Sequence, residues 1–243
     1  MIEARNLVKR FRDKKRGTVC AVDHVSFSCC PGQVYGLLGA NGAGKTTVLR
    51  MLATILGPTE GTAIVAGFDV AKDPQKVRAC VGFLSTATAL YARLSALEMV
   101  QYFGRLHGLG EDTLRRRVDS IFDRLEMNEF RDRRCDKLST GMKQKVSIAR
   151  TLVHDPSVMI FDEPTVGLDV MAARAITGFI RECRDAGKTV IFSTHVMSEV
   201  EKLCDHIGII HAGQLRAEGT LAELRERFKI PDLEDIFVKV VEP

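Results

Sequence analysis

The chain has 243 residues, with 35 Lys and Arg against 31 Asp and Glu, a formal charge of +4, 45% hydrophobic and 27% charged residues. This composition excludes a disordered or fibrous class. The basic groups Lys14-Lys15-Arg16, Arg115-Arg116-Arg117 and Arg131, Arg133, Arg134 read as solvated loop and helix faces rather than one massed nucleic-acid or lipid surface. No apolar run approaches the ~20 residues that span a bilayer and the N-terminus lacks a signal peptide's core, so a membrane role requires another chain. Seven cysteines, without a C-x-x-C pair, point to a reducing compartment.

In chain order, Val34 to Leu38 is a short apolar run leading into a glycine-rich turn and then a helical pattern, Leu49, Leu52 and Leu56. The order predicts strand, phosphate loop, helix. The turn, Gly39-Ala40-Asn41-Gly42-Ala43-Gly44-Lys45-Thr46-Thr47, fits G-x-x-x-x-G-K-[ST]. Its glycines let backbone N–H groups curl around phosphates, and the helix N-terminus that follows adds positive potential. Lys45 can reach the β- and γ-phosphates, and Thr46 can ligate Mg²⁺.

From about residue 88 to 150 strand-like runs vanish and charged helical periodicity takes over, which predicts an inserted helical subdomain. Ser95 with Glu98 matches a capping box. Leu114, Val118, Ile121, Phe122 and Leu125 form the apolar stripe of a second helix, separated from the first by Gly108-Leu109-Gly110. Leu138-Ser139-Thr140-Gly141-Met142 precedes a helix-like run to Leu152. Local physics leaves two readings of it open, an anion-binding helix start and an ordinary N-cap.

Val158 to Phe161 is a buried-strand pattern that ends in Asp162 and Glu163. Such a strand delivers carboxylates to the sheet edge where α/β folds bind ligands. Asp162 suits the Mg²⁺ shell, and Glu163 suits orienting and deprotonating an attacking water. Thr189 to Phe192 and Ile207 to Ile210 are also apolar on successive residues, as expected of parallel strands covered on both faces.

Phosphate loop, L-S-x-G-x element, strand ending Asp-Glu-Pro, Gly167-Leu168-Asp169 and Ser193-Thr194-His195 follow one another in an order that resembles the nucleotide-binding domain of ABC ATPases over essentially the whole chain. The resemblance implies an α/β P-loop NTPase (RecA-like) core with a parallel sheet, a small antiparallel β subdomain and an inserted α-helical subdomain. It places the nucleotide core at 1–87 and 151–212, the helical subdomain at 88–150 and a C-terminal extension at 213–243. It further implies that Phe11 stacks on adenine, that Ser139, Thr140 and Gly141 cap the γ-phosphate of ATP held by the opposite subunit, that Asp169 lies at the dimer interface, and that His195 contacts the γ-phosphate. ATP and Mg²⁺ are the implied cofactors. The implied partners are a membrane-spanning transporter subunit on a separate chain and a second ATPase copy or homologue, in an ATP-dependent homodimer or heterodimer at the cytoplasmic face of the cell membrane. No nucleic-acid partner is expected, because the tandem cassettes, coiled-coil insertions and zinc modules of such relatives are missing from the sequence. A non-hydrolysing sensor would have lost Glu163 or Lys45.

The sequence departs from the family pattern at Thr140 and Met142, where Gly and Gln are usual, and at Thr86, where a Mg²⁺-contacting glutamine is expected. These departures, with Met142-Lys143-Gln144-Lys145 and the closing Leu233-Glu234-Asp235-Ile236-Phe237, resemble the exporter subgroup that includes sodium-extrusion and drug-export ATPases.

Overall fold

The structure is a computed structural model that describes residues 1–13, 17–85 and 89–242. In chain order the elements are β1 (Ile2–Asp13), β2 (Gly17–Cys29), β3 (Val34–Leu38), α1 (Lys45–Leu52), β4 (Glu60–Val65), β5 (Phe68–Asp69), α2 (Pro74–Cys80), β6 (Val81–Ser85), α3 (Ala96–Leu106), α4 (Glu111–Arg124) and α5 (Thr140–Leu152). There follow β7 (Val158–Asp162), α6 (Val170–Asp185), β8 (Thr189–Thr194), α7 (Met197–Leu203), β9 (His206–His211), β10 (Gln214–Gly219), α8 (Leu221–Phe228) and α9 (Leu233–Val241). The basic run 14–16 and Thr86 lie outside the described residues.

Two compact units result, one of residues 1–83 and 157–243, the other of residues 84–156. The first holds a six-stranded sheet in the order β10-β9-β3-β8-β7-β6 and a four-stranded sheet in the order β2-β1-β4-β5. β3 runs parallel to both β8 and β9, and β7 runs parallel to β8. Every residue of β3, β7 and β8 is buried, as unbroken apolar runs require when helices cover both faces of a sheet. β1 pairs antiparallel with β2 and β4. Its Ile2, Ala4 and Leu7 share one core with Leu37 of β3 and with Val48 and Leu49 of α1, so the two sheets close over α1. A second core joins Ile207 and Ile209 of β9 to Leu224 of α8 and to Leu233 and Ile236 of α9.

α1 stops at Leu52, short of the predicted Leu56. Thr54 adopts φ 58°, its N–H bonds the Met51 carbonyl at 3.1 Å, and the Ile55 N–H bonds the Arg50 carbonyl at 2.9 Å. This is a Schellman stop, here with Thr at the left-handed position that Gly usually takes. Leu56 still packs on the core, so its hydrophobic spacing survives without the helix.

In the second unit α3, α4 and α5 pack around Met99 and Val100 of α3, Leu114, Val118 and Phe122 of α4, and Val146 and Ala149 of α5. The capping box closes as expected. Ser95 Oγ accepts from Glu98 N at 3.1 Å and Glu98 Oε2 accepts from Ser95 N at 2.8 Å. No helix among the described residues is long and apolar enough to cross a membrane.

Candidate phosphate and carboxylate site

Parallel pairing sets the C-terminal ends of β3, β7 and β8 side by side, with Leu38 opposite Thr194 and Asp162 opposite Ser193. Everything that follows those ends in sequence meets at one edge, which is where open α/β sheets bind ligands. The loop after β3 turns back tightly. A Cβ on Gly39 would lie 2.6 Å from the Ile210 carbonyl oxygen, and Gly44, at φ 109°, would put one 2.6 Å from the Ala21 carbonyl oxygen. Only glycine fits at these two positions. α1 follows Gly44, its N-cap residue, with no side-chain cap and no acidic residue in its first turn, so its N–H groups remain for an anion.

The side chains of this edge already bond one another. Lys45, 4% exposed, donates from Nζ to the carbonyls of Gly39 at 2.7 Å and Ala40 at 3.0 Å, and its Nζ pairs with Glu163 Oε1 at 3.1 Å. Thr46 Oγ1 donates to Asp162 Oδ1 at 2.9 Å. Glu163 directly follows β7 in the left-handed region, φ 46°, a conformation that costs a non-glycine residue about 1–3 kcal/mol and is typical of side chains aimed for function. His195 directly follows β8; its Nδ1 lies 3.7 Å from Glu163 Oε2, an ion-pair distance rather than a hydrogen bond. The turn carrying it is braced by Thr194, whose Oγ1 donates to Glu199 Oε2 at 2.8 Å and accepts from Val196 N at 3.0 Å.

A cavity of about 430 Å³ opens here, lined by Ala21, residues 41–47 and Glu163. Of the residues predicted to bind or act on nucleotide, Asn41, Gly42, Gly44, Lys45, Thr46, Thr47 and Glu163 line it. Asp162 lies behind them, bonded to Thr46. Phe11 is 39% exposed on β1, opposite Val19 of β2 and beneath Lys9 Nζ at 5.4 Å; it is not among the lining residues, although Ala21, two residues beyond Val19, is. Asp169 caps α6, accepting from Ala172 N at 2.9 Å. In the other unit Ser139 caps α5, accepting from Met142 N at 3.3 Å, and Ser139, Thr140 and Gly141 are all exposed.

Cys29 and Cys204 are not placed for thiolate chemistry. Burial pushes the Cys29 thiol up to about 12 and that of Cys204 well above its usual range, the opposite of what a reactive thiolate needs. The sequence placed Ser193 in the motif Ser193-Thr194-His195 but gave it no role of its own, and in the structure it touches both acids. The available signal was a hydroxyl directly after the apolar run Val190 to Phe192, at the end of the strand beside the Asp-Glu strand.

Known proteins bear on this geometry in three ways. The family model for the ABC transporter matches residues 22–166. ABC transporter ATP-binding protein NatA of Bacillus subtilis is 44% identical over 239 residues, 98% of this chain and 97% of the relative. Nod factor export ATP-binding protein I of Cupriavidus metallidurans is 35% identical over 243 residues, 100% of this chain and 78% of the relative. A solved structure described as the ATP-binding subunit of an ABC transporter matches with TM-score 0.86 and 27% identity, each chain covered to 99%. With a phosphate loop and Glu163 lining one cavity, and Asp162 and His195 each beside a lining residue, the chain belongs to the ABC transporter ATP-binding family and is an ATPase.

Proposed function

We propose that this ATPase powers export of a small solute, a sodium ion or drug among them, through a membrane-spanning subunit on a separate chain, and that it works as an ATP-dependent dimer at the cytoplasmic face of the membrane. The export named for the Nod factor relative supports the direction of transport. The observation that carries the dimer is Gly141. A Cβ there would meet nothing within 4 Å, so the chain's own packing does not require glycine, although glycine in a helix costs about 1 kcal/mol relative to alanine. A glycine in open space, two residues past the Ser139 cap, leaves room for close approach by something from outside the chain, and in this reading that is the γ-phosphate of ATP on a second subunit. The segment 88–150 then carries the signature, and 1–87 with 151–212 the nucleotide.

Within one subunit the loop amides and Lys45 hold the phosphates, Phe11 meets the adenine and Asp169 faces the partner. Thr46 and Asp162, two hard oxygen donors bonded to each other at 2.9 Å, are the donor set Mg²⁺ prefers. Bound there, the ion would neutralise charge developing on the transferred phosphoryl group. Glu163 accepts the proton of the attacking water, and His195, on the far side of Glu163, contacts the γ-phosphate. In this arrangement ATP draws Lys45 from Glu163 and leaves the carboxylate free to act as base.

The test is twofold. Sedimentation of the Glu163→Gln protein should give a dimer with ATP and a monomer with ADP or no nucleotide. Co-expression should recover a membrane protein of about six apolar ~20-residue spans that stimulates turnover. An equal dimer fraction under all three nucleotide conditions, or turnover indifferent to any such partner, overturns the proposal.

A further inference from the structure

Ser193 sits at the fifth position of β8 after Thr189, Val190, Ile191 and Phe192, and it is wholly buried. A hydroxyl taken out of water costs free energy unless it is hydrogen-bonded, and both of its bonds go to the acidic pair. Its Oγ donates to Asp162 Oδ1 at 2.9 Å and accepts from the backbone N–H of Glu163 at 3.0 Å. Sheet register makes this possible, because Ser193 is the direct partner of Asp162 across the parallel β7–β8 pair.

We propose that Ser193 is a positioning residue for the hydrolytic site, setting both the metal-facing oxygen of Asp162 and the aim of Glu163. The inference rests on the assignment of Asp162 and Glu163 made above. Thr46 and Ser193 donate to the same atom, Oδ1. Two hydroxyl bonds to one oxygen fix the plane of the carboxylate and leave Oδ2, which receives neither of them, for the ion that Asp162 would hold. The second bond holds the first residue past the strand. Glu163 stands at φ 46°, a strained conformation that needs something to fasten it, and the Ser193 oxygen takes its N–H at that turn. One buried hydroxyl thus couples the residue facing the metal to the base.

Partners that orient a metal-facing ligand typically contribute about 10- to 100-fold in metal affinity or activity, which sets the effect to seek. The experiment compares the parent with Ser193→Ala, Ser193→Thr and Ser193→Cys. Titration of ADP, with Mg²⁺ and then with a chelator, gives the fold gain in affinity due to metal; steady-state ATP hydrolysis gives kcat and KM. In Ser193→Ala the metal-dependent gain and kcat should each fall by about 10- to 100-fold, while metal-free ADP affinity stays at the parental value. Ser193→Thr, which keeps the hydroxyl, should restore both. Ser193→Cys, close in size with a weak donor, should follow Ala and carries the comparison if Ala or Thr does not fold. A parental metal-dependent gain and kcat in folded Ala or Cys protein overturns the inference. So does an equal loss of metal-free and metal-bound affinity, which would mark a packing role. Glu163→Gln in the same assay separates the two levels. Parental turnover there defeats the underlying assignment, whereas abolished turnover there with a parental Ser193→Ala defeats only this inference.

Discussion

The phosphate edge of the first unit and the start of α5 in the second are both runs of small polar residues before a helix, yet they are built differently. At the phosphate edge nearly every polar side chain has a reason inside the chain. Lys45 is held by two carbonyls and Glu163, Thr46 by Asp162, and Asp162 by Ser193. The start of α5 spends one hydroxyl on a cap and leaves Gly141 in open space. The first site is held together by bonds within the chain, and the second, in the reading proposed above, is completed by a second subunit. Preorganised groups act at once on a bound phosphate, whereas a site completed by a second subunit, as proposed for the start of α5, would permit control by assembly.

The largest expected effect breaks the first region. Glu163→Gln keeps size and hydrogen bonding but removes the proton acceptor, so turnover should drop by about 10²–10⁴-fold, the usual contribution of a positioned base, with ATP still bound. The same change removes the charge that pairs with Lys45 at 3.1 Å, so ADP affinity should hold or rise. Turnover close to the parent's would refute the assignment.

Asp162→Asn is expected next. It weakens the metal shell instead of the base, so Mg²⁺-dependent nucleotide affinity and turnover should fall together, by about 10- to 100-fold. Calorimetry with and without Mg²⁺ distinguishes it from Glu163→Gln, and retained Mg²⁺-dependent affinity would move the ion away from Asp162.

Gly141→Ala sharpens the contrast, because stability and function should separate. The added methyl meets nothing in the chain, and helix propensity favours alanine by up to about 1 kcal/mol. Thermal unfolding should therefore be unchanged or shifted upward, while the ATP-dependent dimer and its turnover decline. A variant that dimerises and turns over like the parent would return the start of α5 to the status of an ordinary cap.

The smallest effect lies away from both regions. Thr54→Gly relieves a left-handed residue at the end of α1 and should raise stability by up to about 1 kcal/mol without altering turnover. A loss of stability instead would mean that the threonine side chain matters more than its backbone strain.

Much of the first region was legible beforehand, since a phosphate loop is one contiguous stretch whose glycines, lysine and hydroxyl are set by local backbone geometry. The strands β3, β7, β8 and β9 were equally plain from their unbroken apolar runs, whereas the antiparallel strands β1, β2, β4 and β5 mix apolar with polar and charged residues. The end of α1 was not, because Leu56 keeps helical spacing while the chain has already turned at Thr54. Periodicity records which side chains are buried and says nothing of the backbone path that buries them.

The sequence by itself determined the P-loop, the acidic strand end, the buried character of β3, β7, β8 and β9 and the capping box of α3, because each depends on residues a few positions apart. Tertiary structure alone decided that Lys45 meets Glu163, that Thr46 meets Asp162 across 116 positions, and that Ser193 meets Asp162 across 31. Those meetings depend on which strands lie side by side and in what register. Register is fixed by the packing of the whole sheet, so no single segment carries it.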